Sequence, residues 1–196
     1  MTEAIIDIPR ILNVLSDLYL SPPKHALLEG WKRELDGERH DAIVPLKAAV
    51  DDALKLDGAA QIGLETEFAR LFVGPASLPC PPWESVYTSP GRLMMQEAYE
   101  AVRSLYADAG LALKGEEVQA DHIGVELHFL ALLYDRYANS TGDEQEAVLE
   151  FADELLDAHL NVWVGPFTTD VENSAHLPFY KTVAQITRNM VSLIQE

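Results

Sequence analysis

Apolar residues return every three or four positions along almost the whole chain. A chain patterned this way can bury them only by forming helices whose apolar faces meet. Ile8, Ile11, Leu15 and Leu18 show the interval, as do Ile43, Leu46, Val50 and Ala53, and Phe179, Val183, Ile186, Met190 and Leu193 repeat it near the end. Residues 92–109 carry it on Met95, Ala98, Val102, Leu105 and Ala109, with Gly110 placed as a left-handed stop. No alternating run is long enough to argue for a strand, so no sheet is expected. At 196 residues and 48% hydrophobic, the chain has the size and composition of one core. The expected fold is all-α: a single-domain helical bundle of about eight helices over 1–196.

The periodicity breaks once, over 73–91. Prolines stand at 75, 79, 81, 82 and 90, and glycines at 74 and 91. Proline fixes φ and biases its predecessor towards extended backbone, so PCPPWESVY (79–87) reads as a stiff, extended connector. A defined loop of this length is usually functional or tightly packed. Elsewhere, residues 143–163 show two faces. Asp143, Glu146, Glu150, Asp153, Glu154 and Asp157 share one side, while Val148, Phe151, Leu155, His159 and Val162 share the other. Asp143 with Glu146 makes a capping-box-like start. The acidic stripe reads as a solvated outer face or as the rim of a site for a basic peptide.

Charge excludes several functions. Thirty-two acidic residues against fourteen basic ones give a net charge of −18, which repels phosphate backbones and anionic lipid; nucleic-acid binding is not expected. The acidity fits either general solvation, as in a salt-adapted protein, or attraction of a basic ligand. No run approaches the roughly 20 apolar residues of a membrane span, so no stable membrane insertion is expected. A start bearing Glu3 and Asp7 lacks the basic opening of a signal peptide. The single Cys80 excludes an internal disulfide and thiolate metal sets. Together these features fit a reducing cytoplasm, the expected location.

Catalytic motifs are thin. The paired Glu-x-x-His of a di-metal bundle is missing. The nearest cluster is Asp121, His122, Glu126 and His128, in which His122 and Glu126 share a helix face without an evident third ligand. Ser85 is not in a Gly-x-Ser-x-Gly elbow, and Cys80 has no histidine or helix start beside it. No phosphate-binding loop or dinucleotide fingerprint occurs. The chain is expected to be no enzyme and to need no cofactor.

Three strings stand out. EFARLFVGP (67–75) sets Phe68, Leu71 and Phe72 on an apolar edge that stops at Gly74-Pro75. PCPPWESVY carries Trp83 and Tyr87, and ADHIGVELHFLALL (120–133) opens with Asp121 as an N-cap and His122 beside it. Each has a plain structural reading as a packing face, a core tryptophan or a helix cap. Taken in order, with HLNVWVGPF (159–167) and LPFYKTVAQIT (177–187) following, they resemble the TorD/DmsD family of redox-enzyme maturation chaperones, including its NarJ branch. The resemblance covers roughly 60–190. The family loop commonly reads Pro-Pro-Trp-Gly-Ser-Val-Tyr, whereas this chain has Glu84 at the glycine position.

The resemblance implies an all-helical chaperone that binds the twin-arginine leader of a molybdenum-containing oxidoreductase. It would hold the immature catalytic subunit while the cofactor is inserted and prevent premature export. Leu71, Phe72, Pro82, Trp83, Tyr87, Asp121 and His122 carry over as peptide-binding positions. A basic, then apolar, leader calls for an apolar groove with carboxylates at one end, which Leu71, Phe72 and Trp83, and Asp121 with Glu126, are placed to supply. The rivals are a NarJ-like chaperone for a non-exported nitrate-reductase-type subunit and a helical metal-dependent enzyme at Asp121, His122 and Glu126. Monomer and domain-swapped dimer are both compatible with the sequence.

Overall fold

Asp7 opens the first helix, its carboxylate accepting the Arg10 N–H at 3.2 Å, and Pro9 occupies the first turn, where a missing N–H costs nothing. Helix α1 (Ile8–Leu20) then ends before Pro22 and Pro23, which cannot continue it. A computed structural model describes residues 6–74, 77–113 and 119–195. In it follow α2 (His25–Leu35), a 3₁₀ turn (Asp41–Ile43) leading into α3 (Val44–Leu54), and α4 (Gly58–Phe68), which runs into a π-helical turn (Ala69–Val73). Beyond the connector come α5 (Glu84–Thr88), α6 (Glu97–Asp108) and α7 (Ile123–Asn139). Helix α8 (Asp143–Glu154) continues through a second π turn (Leu155–Leu160) into α9 (Asn161–Ser174), and α10 (Pro178–Gln195) closes the chain. Among the described residues the one β-type pairing is a single bridge between Trp83 and His122. The all-α expectation holds.

Buried apolar side chains from every helix except α5 form one continuous cluster, against which Tyr87 of α5 packs. Helix α1 lies along α7, α7 against α8, α9 against α10, and α3 between α2 and α10. The α1–α7 crossing is close at Gly124, where an added Cβ would fall 2.6 Å from the Leu20 side chain and 2.9 Å from the Ser16 carbonyl. Ser16 Oγ donates to the Gly124 carbonyl at 2.6 Å, so the start of α7 is fastened to α1. This fixes the end of the bundle at which the connector docks.

Four local expectations change in the structure. The connector is extended only as far as Trp83; Glu84–Thr88 turn into α5. Helix α6 begins at Glu97, not near Arg92, because Ser89 Oγ exchanges hydrogen bonds with Leu93 and Met95 takes φ 55°, leaving Met95 exposed. Helix α8 starts without a side-chain cap, since Gly142 at φ 61° precedes it and puts Asp143 inside the first turn. Asp143, Glu144 and Glu146 then favour the helix only through its dipole. The π turn adds residues to one turn of the α8–α9 rod, so His159 keeps facing the core while Val162 is turned out, 51% exposed. The left-handed stop at Gly110 is present, at φ 73°. Glu3 and Pro75, used above for terminal charge and helix stop, lie outside the described residues.

Candidate functional site

Proline 82 has no N–H, so it can join a backbone pairing only through its carbonyl, and that carbonyl accepts the Ile123 N–H at 2.9 Å. Two residues on, the Asp121 carbonyl accepts the Glu84 N–H at 2.9 Å. These two bonds seat the end of the connector against the start of α7. The Asp121 side chain, fully buried, completes the join: Oδ2 accepts the Ser85 N–H at 3.0 Å and the Ser85 hydroxyl at 2.5 Å. Ser85 Oγ in turn accepts the Gln96 N–H at 3.2 Å, which draws in the residue before α6. Asp121 therefore is not the α7 N-cap. That role belongs to His122, whose Nδ1 accepts the Gly124 N–H at 3.1 Å. An accepting Nδ1 places the ring proton on Nε2. Burial pulls the His122 pKa down to about 4, so the ring is neutral near pH 7.

Behind this join lies a second polar layer. Glu84, 3% exposed, accepts from His159 Nδ1 at 2.8 Å, and the fully buried Glu126 accepts the Trp163 indole N–H at 3.0 Å. Burial, and then the charge of Glu84, push the Glu126 pKa well above the carboxylate range. The interior thus favours the protonated form of Glu126 beside Glu84. Glu84 thus brings into the interior a carboxylate that His159 receives.

The positions expected to bind peptide divide into three groups. Trp83 and His122 are half-buried neighbours whose rings meet edge to face at 6.0 Å. Tyr87, also half-buried, packs on Trp163 and Phe167 of α9, donates to Asp170 at 3.1 Å and lies under the Arg92 guanidinium. Pro82, Asp121 and Glu126 sit beneath the surface. Leu71 and Phe72 are core residues elsewhere, Phe72 being ringed by Tyr19, Phe68, Phe167 and Tyr180. Leu71 and Phe72 therefore form no open groove wall with Trp83, and the carboxylates of Asp121 and Glu126 are sealed from an outside arginine. Glu67 and Arg70 of the same string bind each other bidentately, and both reach the α9–α10 connection.

The sequence reading missed the Glu84–His159 pair and the part played by Trp163 and Gln96. Glu84 stood out only as a departure from a motif, and nothing in one sequence couples it to a histidine 75 residues away. At the place of the metal-site rival, Asp121 Oδ2, His122 Nδ1 and Glu126 Oε2 already bond to Ser85, Gly124 and Trp163, and no metal-holding cluster occurs among the described residues. Cys80 is buried, its thiol pushed up to about 11 by desolvation.

Comparison with known proteins decides the family. The family model described as nitrate reductase delta subunit matches residues 32–169. The chain belongs to that family. It is 32% identical to the chaperone protein YcdY of Escherichia coli K12 over 93% of this chain and 90% of that one. It is 28% identical to the Tat proofreading chaperone DmsD of Salmonella paratyphi A, covering 91% and 83% of the two chains. Identity to the chaperone protein TorD of Vibrio parahaemolyticus is 30%, over 72% and 69%. A crystal structure of a putative redox enzyme maturation protein from Archaeoglobus fulgidus superposes with TM-score 0.67 at 19% identity, over 100% of this chain and 99% of that one, which supports the fold. The TorD/DmsD resemblance is thereby established, and the family's members are named as chaperones and not as catalysts. Among the described residues no helix is long and apolar enough to cross a membrane.

Proposed function

We propose that this chain is a cytoplasmic chaperone for a molybdenum-containing oxidoreductase, that it binds the enzyme's twin-arginine leader at the Trp83–His122 surface, and that it acts as one domain. The observation that carries the reading is this partly exposed aromatic pair, braced from below by hydrogen bonds of buried Asp121 to Ser85. A braced ring presents apolar area without losing much side-chain freedom on binding. In this reading Pro82, Asp121 and Glu126 hold the surface in shape and Tyr87 flanks it, while Leu71 and Phe72 serve the core and not the surface. The continuous apolar cluster supports the single-domain reading.

Titration of the folded Trp83→Ala variant with a synthetic leader tests the site. Affinity should fall about tenfold or more, while the helical signal and melting temperature stay near those of the parent. Unchanged affinity would move the site elsewhere on the fold. The match to the delta-subunit model favours a second reading, a NarJ-like chaperone whose client keeps a leader without paired arginines. A leader with both arginines replaced should then bind as well as the paired-arginine form.

A further inference from the structure

Glu84, the residue after Trp83, lies on the wall of an open cavity of about 560 Å³ between α5, the start of α6 and the α8–α9 rod. Its lining includes Glu84, Glu97, Glu154 and His159, and no lysine or arginine. Three carboxylates there outweigh the α6 N-terminus, whose dipole contributes about half a positive charge. The carboxylates differ in kind. Glu97 and Glu154 are solvated, and their fields are screened. Glu84 is 3% exposed, and among the described residues the one N–H reaching its carboxylate is that of His159. A buried carboxylate on a cavity wall with a single donor is short of hydrogen-bonding partners.

We propose that this cavity is a guanidinium subsite, with Glu84 as its anchor, His159 as the positioning residue that orients Glu84, and Glu97 and Glu154 as the outer rim; it seats an arginine side chain of the bound leader. The inference rests on the leader-binding reading and specifies where the basic part of that leader goes. An arginine's planar fork suits a carboxylate with an unoccupied oxygen better than a lysine's point charge does. A glycine at position 84 would leave the cavity without this wall, so the departure from the common loop sequence becomes a specificity feature of this chain.

Two probes separate the subsite from the larger reading. One is a synthetic leader in arginine and citrulline forms, titrated calorimetrically. The other is a blocked arginine dipeptide, followed through the imidazole resonances of His159. The parent should prefer the arginine leader about tenfold or more, since losing one partner of a shielded charge pair is costly. Glu84→Gln should remove most of that preference, and the dipeptide should shift His159 in the parent only. Ala158→Lys, at an exposed cavity-lining position, tests the same site without disturbing the buried pair and should also abolish the preference. If the leader binds but both variants keep the full preference and His159 does not respond, the subsite is wrong and the leader-binding reading survives. If the dipeptide shifts His159 while no leader binds, the leader-binding reading is wrong and with it the assignment of the subsite to a leader. If neither probe acts, both fall.

Discussion

Two acidic regions of the molecule use the same side chains to opposite ends. Along α8, Asp143, Glu146, Glu150, Asp153 and Glu154 face solvent, where water screens them and no interior group depends on them. At the connector, Glu84, Asp121 and Glu126 are 3%, 0% and 0% exposed, and each is held by a specific donor: His159, Ser85 and Trp163. The difference teaches that a net charge of −18 is not one property of this chain. Most acidic groups keep it solvated, whereas three shape the join on which the proposed site stands.

The sharpest break of this contrast is Asp121→Ala. It leaves the buried Ser85 N–H and hydroxyl without their acceptor and undocks α5 from α7, so the expected loss is about 2–5 kcal/mol of unfolding free energy, read by denaturant titration. Asp121→Asn retains an acceptor oxygen and should cost clearly less. A loss under ~0.5 kcal/mol for alanine would mean that the join contributes nothing.

Glu126 should impose a pH dependence of recognisable sign. Its folded pKa is raised, so the folded state holds a proton that the unfolded chain releases above about pH 4.5, and stability falls as pH rises from there towards the folded pKa. Glu126→Gln keeps the shape without the ionisation. Melting temperatures from pH 4.5 to 8 should decline less in the variant than in the parent; parallel curves would mean that Glu126 holds no extra proton in the folded state.

His122 should act in the opposite direction. With a folded pKa near 4 against an ordinary 6.5, the unfolded chain takes up a proton first as pH falls, so stability is lost between pH 6.5 and 4. His122→Asn, which can still cap α7, should flatten that window. The smallest effect is expected on α8. Replacing Glu146, Glu150 and Asp153 by their amides should move stability by no more than about 0.5 kcal/mol per site, and chiefly weaken its dependence on salt. A large loss there would erase the distinction between the two regions.

Much of this was legible in advance. Helices, their approximate extents and the interruption at 73–91 follow from local periodicity and proline placement, because both act over a few residues. The strings around Phe72, Trp83 and Asp121 also marked the family. What local pattern could not give was depth. Phe72 and Trp83 are both large aromatic residues beside a loop, yet one is in the core and the other reaches the surface. Asp121 looked like a cap because aspartate before a helix usually is one; its carboxylate instead turned to Ser85, 36 positions away, and His122 took the cap.

The sequence by itself determined that this chain is all-helical, acidic and built around a proline-stiffened connector, since those properties are sums over local choices. Tertiary structure decided which carboxylates are solvated and which are interior. That choice depends on what lies opposite each side chain once the helices pack: Ser85, His159 and Trp163 come from distant positions and supply the hydrogen bonds without which burying Asp121, Glu84 and Glu126 would cost several kcal/mol.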